Sequence, residues 1–378
     1  MEVQAVPFHT APKAHALGKR RSTSISHRNP RFLTAMIKEQ LNLLLDQRAL
    51  SFDQAYDMMS AIMHGQCSDI EISALLVALR MKGETADEVA GCAKAMREMV
   101  TPIPVFGLPV IDTCGTGGDH SQTFNISTTA AFVAAGAGAI VAKHGNRAAS
   151  SKCGSADLLA EIGVNIECSP ERVAQCVQSI GIGFLFASHL HPAMKYAIGV
   201  RRGLGIRTIF NLLGPLTNPA GARRGVLGVF SREAQDLIAN AAKALGAEHM
   251  LVVHGLDGLD EISISTPTRV LEVHNGSIHE SVISPDQLGI PTAPKQSIIG
   301  GDAPYNATIT RDVLAGKPGP CRDIVLLNAA AAILAADLAA DWPEAVQCAA
   351  VTIDSGKAVE KLRALVTESN RPLESPTD

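Results

Sequence analysis

Glycine, acid, amide and hydroxyl residues crowd into Gly115-Thr-Gly-Gly-Asp119 and, after a short loop containing Thr123, into Asn125-Ile-Ser-Thr128. Glycines let a backbone approach a ligand closely, and a helix start offers unpaired N–H groups to an anion. The pattern fits a phosphate cradle, and it also fits a plain tight turn with an N-cap at Ser127. A second cluster, Lys143-His-Gly-Asn-Arg147-Ala-Ala-Ser-Ser151, brings two cations, an amide and hydroxyls just before Ser155. Alone it reads as an ordinary polar connection; two such loops after successive strand-like runs describe a pocket for a polyanion. Leu256-Asp-Gly-Leu-Asp260-Glu261 adds an acid pair. Such pairs are usually solvated turns, yet a phosphate-rich site commonly takes Mg²⁺, which binds one or two carboxylates and keeps several waters. His191-Pro-Ala-Met-Lys195, followed by Arg201 and Arg202, reads as helical. Successive helix positions differ by about 100°, so at most one of the two arginines faces a site, where it can grip a carboxylate through paired hydrogen bonds. The stretch 205–219, rich in Gly, Pro and Asn, reads as a structured loop beside them.

Other chemistries are excluded. A dinucleotide fingerprint needs glycine where His120 stands, and neither G-x-x-x-x-G-K-[ST] nor G-x-S-x-G occurs. His189 and His191 have metal-pair spacing but no third ligand nearby. The eight cysteines (67, 92, 114, 153, 168, 176, 321, 348) form no C-x-x-C and read as buried thiols of a reducing compartment.

The elements that must carry these loops follow from periodicity. Residues 35–104 read as a small helical unit: Ser51–Gln54, Ser68–Glu71 and Thr85–Glu88 each have capping-box spacing, and Gly65 and Gly83 stand at helix stops. A proline-rich hinge, 101–109, ends it. Residues 105–378 read as a large α/β unit with strands at 109–114, 140–143, 184–187, 226–230 and 250–253. Helices at 127–137, 155–162, 170–180 and 232–245 alternate with them, which implies a mostly parallel sheet covered by helices on both faces. An Asn275-Gly276 turn between 269–273 and 277–283 predicts one antiparallel hairpin.

Composition agrees. Of 378 residues 46% are hydrophobic and 19% charged, with only 10 Phe, 3 Tyr and 1 Trp, so aliphatic side chains must fill the core. A net charge of -4 opposes a whole-protein nucleic-acid footprint. The longest apolar stretch, 324–340, is interrupted by Asn328 and Asp337 and suits a buried helix, not a membrane span. Residues 1–34 carry Lys13, Lys19, Arg20, Arg21, Arg28 and Arg31 against Glu2, and read as a disordered extension or an organellar transit peptide.

Taken in order, Gly115-Thr-Gly-Gly-Asp119, Asn125-Ile-Ser-Thr128, Lys143-His-Gly-Asn146, His191-Pro-Ala-Met-Lys195, Asn211-Leu-Leu-Gly-Pro-Leu-Thr-Asn-Pro219 and Asp257-Gly-Leu-Asp-Glu261 resemble the anthranilate phosphoribosyltransferase family. Gly300-Gly-Asp302 and Ile353-Asp-Ser-Gly-Lys357 extend the resemblance towards the end of the chain. It implies a homodimer with an active site between the two units and a mid-chain portion near 190–210 packing on the helical one; the expected location is the cytoplasm, or a plastid if 1–34 is a transit peptide. The implied reaction is the second step of tryptophan biosynthesis, in which the amine of anthranilate displaces diphosphate from 5-phosphoribosyl diphosphate (PRPP). Carried over residue by residue, the PRPP contacts are Gly115, Gly118, Asp119, Thr123, Asn125, Ile126, Ser127, Thr128, Lys143, His144, Gly145, Asn146, Arg147, Ala148, Ala149, Ser150, Ser151 and Ser155. The anthranilate contacts are Gly115, Asn146 and Arg201, with His144 and Pro215 lining the approach. Ser127, Asp260 and Glu261 correspond to ligands of Mg²⁺, expected as two ions per monomer. No general acid or base is implied. Ser188, His120 and Cys153 depart from the usual family pattern, Ser188 standing where proline is common. Two other readings share some features: a pyrimidine nucleoside phosphorylase, and a non-catalytic relative that binds nucleic acid through the basic leader. Membrane and nucleic-acid partners are not expected.

Overall fold

The computed structural model describes residues 30–119, 121–148 and 151–372, with side chains from residue 32. The expectation for the leader therefore falls mainly outside the described residues, as do His120, Ala149 and Ser150. The helical unit begins earlier than expected, at Pro30: α1 (Pro30–Leu45), α2 (Phe52–Met63), α3 (Asp69–Lys82) and α4 (Ala86–Glu98). All three capping boxes form, each with its hydroxyl accepting from the N3 backbone and the N3 side chain returning the bond. Glu88 is fully buried, accepting from Leu50 N at 2.8 Å and Lys82 Nζ at 2.9 Å as well as from Thr85. It ties the starts of α2 and α4 to the end of α3. The proline-rich segment is packed down, with Ile103 and Val105 buried and Ile103 N bonded to Pro219 O at 3.1 Å.

The α/β unit then runs β1 (Val110–Gly115), α5 (Ile126–Gly136), β2 (Ile140–Gly145), α6 (Ser155–Ile162), α7 (Pro170–Ile180), β3 (Ile182–Phe186), α8 (Ala187–Leu190), α9 (Ile198–Leu204), α10 (Phe210–Leu213), β4 (Arg224–Gly228), α11 (Arg232–Ala244) and β5 (His249–Gly255). A hairpin of β6 (Thr268–His274) and β7 (Ser277–Ile283) precedes α12 (Ala303–Leu314), α13 (Pro320–Ala335), α14 (Trp342–Asp354) and α15 (Lys357–Ser369). The sheet order is β3-β2-β1-β4-β5-β6-β7, parallel through β5 and antiparallel thereafter.

Several spans differ from expectation. β3 starts at Ile182 and stops before Ala187, which opens α8; β4 lies two residues earlier than read. The 191–202 stretch is a 3-10 turn (Pro192–Tyr196) and then α9, not one helix. The 205–219 loop contains α10 and a further 3-10 turn, Gly214–Leu216. No disulfide forms, but only Cys92, Cys153 and Cys176 are buried; the other five thiols keep some exposure.

Two cores flank the sheet. One packs α5, α13, α14 and α15 on it, with α13 buried from Ile324 to its end. Each fully buried Leu or Ile there is worth about 2 kcal/mol. The other is continuous across the units: Leu75, Leu79 and Ala93 share it with Ala197, Val200, Phe210 and Leu213, and with Ile238 and Val252 under the sheet. No described helix is long and apolar enough to cross a membrane.

Candidate active site

Strand order reverses between β1 and β4, which lie side by side although far apart in sequence. Ligands of open α/β sheets bind outside the carboxyl ends of strands at such a switch point, and the glycine loop leaves β1 there. Thr116 N donates to Gly228 O at 2.8 Å, and Gly117 N to Asp260 Oδ2 at 2.8 Å. A Cβ on Gly228 would lie 1.7 Å from Asp260 O, and one on Gly115 2.8 Å from Asp260 Oδ2. The absence of side chains at these two positions is what lets the 256–261 loop settle against the strand ends. Asp260 N lies 3.4 Å from Asp119 Oδ2, and Arg207 donates to Gly118 O while stacking over Phe230.

The start of α5 has no side-chain cap from its N-cap residue, and Ile126 N turns back to Phe124 O at 2.8 Å. Asn125 holds the N-cap position without capping: its amide donates to Cys153 O at 3.1 Å and accepts from Asn306 Nδ2 at 2.9 Å. Ser127, expected as the N-cap, lies inside the helix; its N–H donates to Glu261 Oε1 at 3.1 Å. Ile126 and Thr128 are buried, so they offer the loop backbone and not side chains. Thr123 bridges to Ile299, which seats the loop against Gly300.

Three carboxylates thus converge beside Ser127. Burial, then the charges of Asp119 and Glu261, hold the Asp260 carboxyl well above its ordinary range. Burial pushes Glu261 up to about 7, although Lys143 and Ser127 oppose the rise. Crowded oxygen donors that resist ionising together are the environment a hard divalent cation relieves, so Ser127, Asp260 and Glu261 fit Mg²⁺.

The second loop is placed differently from expectation. Lys143 is only 4% exposed and its Nζ donates to Thr113 O and Oγ1, so it stands behind the loops and not on their surface. Burial lowers its pKa against the pull of Cys114, Asp112 and Glu261. His144 and Pro215 are buried too. His144 Nε2 meets His191 Nε2 at 3.0 Å, so His191 is not free to pair with His189 on a metal. Burial first drives these imidazoles down, to about 3 and about 4. Asp112, pushed up to about 6 by burial, accepts from His144 N at 3.0 Å and Asn218 Nδ2 at 2.7 Å. At the surface stand Gly145, Asn146, Arg147 and Ala148. Arg147 pairs with Asp157 at 3.0 Å, Ala148 N donates to the same carboxylate at 2.9 Å, and Ser155 Oγ bonds Asn146 O at 3.2 Å. Ser151 is exposed, and its Oγ lies at 3.5 Å from Cys153 O.

Of the two arginines, Arg202 is exposed and Arg201 half-buried over the Phe210 ring at 5.0 Å. No ion pair holds Arg201 among the described residues, and burial lowers its pKa. Sequence reasoning missed Asp112, Arg207, Asn218 and Asn306. The Gly300-Gly-Asp302 motif lies against the last: Gly301 N donates to Asn306 Oδ1 at 2.8 Å, and a Cβ on Gly300 would lie 2.8 Å from the same oxygen. A cavity of about 420 Å³, lined by Arg97, Phe106 and Arg223 among others, lies where β1 and β4 begin, at the edge opposite this chemistry.

The α/β domain of a glycosyl transferase family matches residues 107–359, and the helical bundle domain of that family matches 38–100. Anthranilate phosphoribosyltransferase from Anaeromyxobacter sp. (strain K) is 52% identical over 337 residues, covering 89% of this chain and all of the relative. The chain belongs to the anthranilate phosphoribosyltransferase family. Another anthranilate phosphoribosyltransferase, from Chloroflexus aggregans, is 50% identical over 88% of this chain and 98% of its own. The Thermus thermophilus enzyme structure superposes with a TM-score of 0.84 at 44% identity, covering 88% of this chain and 99% of that one. The Saccharomyces cerevisiae anthranilate phosphoribosyltransferase in complex with PRPP and Mg superposes with a TM-score of 0.81 at 29% identity, covering 89% and 98%.

Proposed function

We propose that this chain transfers the 5-phosphoribosyl group of PRPP to the amine of anthranilate, giving N-(5-phosphoribosyl)anthranilate and diphosphate. The observation that carries the reading is the glycine loop at the end of β1 and the adjoining start of α5, whose Ser127 N–H is held by Glu261, set against Asp119, Asp260 and Glu261. Backbone N–H groups for phosphate and carboxylates for its counter-ion stand side by side.

The amine of anthranilate is an aniline, neutral at pH 7, and needs little deprotonation to attack C1. The protein's work is alignment and electrostatics. Gly115, Gly118 and the α5 start cradle the diphosphate, with Asp119, Thr123 and Asn125 shaping the loop. The 145–151 segment and Ser155 take the ribose-phosphate end. Ser127, Asp260 and Glu261 hold Mg²⁺, with two ions per monomer; when bound, Mg²⁺ supplies charge neutralisation to the departing diphosphate. Lys143 adds positive potential from behind β1. Arg201 and the Asn146 amide grip the anthranilate carboxylate, with Gly115 beneath and His144 and Pro215 setting the pocket wall. Reaction occurs in the cytoplasm, in a homodimer. Ile70, Met81 and Ile198 expose 82%, 78% and 42% of their surfaces on α3 and α9, an apolar face suited to a second copy. A monomer mass by light scattering would overturn that assembly.

The test is loss of anthranilate fluorescence on adding PRPP and Mg²⁺ to the full chain, with diphosphate release measured in parallel. A decrease abolished by EDTA supports the reading. No decrease in a folded protein that binds PRPP means another acceptor, and no PRPP binding overturns the proposal.

A further inference from the structure

The side-chain amide of Asn146 has two possible orientations, and the structure contains the groups that choose between them. Backbone N–H of Arg147 lies 2.8 Å from Asn146 Oδ1, and a backbone N–H can only donate. That contact favours the oxygen inward, and a second donor on the same side is what holds the amide there. Ser188 Oγ then donates to the same Oδ1 at 2.9 Å, reaching across from the first turn of α8. An amide oxygen has two acceptor sites, so both are filled. The Nδ2 group is left pointing away with its two donors uncommitted among the described contacts. Ser188 stands just past β3, whose Phe186 pairs with Gly145, so strand register delivers the hydroxyl to the residue before which β2 ends.

We infer that Ser188 is a positioning residue for the acceptor substrate: its hydroxyl locks the Asn146 amide with the NH₂ edge outward, so that the loop presents donors to anthranilate and no acceptor. This rests on the reading of Asn146 as an anthranilate contact. A residue without a side-chain hydroxyl at this position could not do this. The chemical consequence is selectivity. A donor-only edge favours a carboxylate or carbonyl on the acceptor ring and disfavours an aminated analogue of the same shape.

The test compares Ser188→Ala, Ser188→Thr and Asn146→Ala in the full chain, by steady-state kinetics with each substrate varied. One hydrogen bond at an exposed site is worth about 0.5–1.5 kcal/mol, so Ser188→Ala is expected to raise KM for anthranilate by about twofold to twelvefold. KM for PRPP, to which Asn146 is one contact among many, should move less than KM for anthranilate, and Ser188→Thr, which keeps the hydroxyl, should restore the anthranilate value. A structural role alone would shift both KM values together and lower the melting temperature. If Asn146→Ala raises the anthranilate KM and Ser188→Ala does not, the inference is overturned while the site assignment stands. If Asn146→Ala itself leaves that KM unchanged, the underlying assignment is what fails.

Discussion

At the scale of single residues, Gly228 sets the most stringent condition on the site. Its missing Cβ is the space that Asp260 O occupies, and no side chain can bend out of a 1.7 Å contact with backbone. Gly228→Ala must push the 256–261 loop off the strand ends, separating Asp260 from Gly117. Overpacking of this kind costs about 1–3 kcal/mol. The expected outcome is a lower melting temperature together with loss of Mg²⁺-dependent turnover; a fully active variant would show that the loop position is unimportant. The acids themselves give a second prediction with two opposing readouts. Asp260 and Glu261 have folded pKa values above their unfolded ones, so each contributes stability at low pH that is lost as pH rises through the folded value. Asp260→Asn with Glu261→Gln should therefore raise the melting temperature of the metal-free protein at pH 8. The same variant should need on the order of a hundredfold more Mg²⁺ for half-maximal activity, the loss of two charge-assisted contacts at about 1.5 kcal/mol each. A Mg²⁺ requirement equal to wild type would remove these residues as its holders.

At the scale of elements, Glu88 does more than its capping-box role requires. Thr85→Ala removes one helix cap and should cost about 1 kcal/mol. Glu88→Ala leaves Leu50 N without its acceptor and strands the Lys82 ammonium, whose side chain is 5% exposed, so about 3–5 kcal/mol is expected. Urea unfolding of both variants checks the ratio; equal losses would mean that the buried ion pair contributes nothing. The three capping boxes were legible because each is a local pattern of four residues. The start of β3 at Ile182 is hard to see in the sequence because Gly183 is a poor strand former. It is glycine for packing, since a Cβ there would meet Val177 Cγ2 of α7 at 2.6 Å. Gly225 hides the start of β4 likewise: a Cβ there would sit 2.1 Å from Asp112 O of the neighbouring strand. The loops of the site were legible as polar clusters after strands. That Lys143 and His144 face inward was not, because the strand end around them is enclosed by Asp112, Asn218 and His191, all remote in sequence.

For the whole molecule, the buried His144–His191 pair couples stability to acid. Both imidazoles are neutral when folded, and unfolding frees each to bind a proton at its ordinary pKa of about 6.5. The unfolded chain then holds more protons between pH 6.5 and about 4, so stability falls as pH falls through that window. Each group contributes on the order of 1.4 kcal/mol per pH unit. Asp112 acts in the opposite sense up to its folded value of about 6. A His144→Gln, His191→Gln double variant retains Asp112, so it should lose less stability than wild type on going from pH 7 to pH 4.5. Parallel melting curves across that range would refute the pair's role.

The core that runs from Leu75 and Leu79 through Val200, Phe210 and Leu213 to Val252 also limits how such chains can be recombined. A crossover between two relatives placed in the proline-rich segment divides the chain at its most obvious seam. It would nonetheless join α1–α4 of one parent to the 193–216 lining of the other, and the interior of the helical unit would be assembled from two ancestries. A working hybrid has to inherit 193–216 together with the amino-terminal helices, two separate stretches from one parent. The unit of inheritance here is the shared interior and not the contiguous span of sequence.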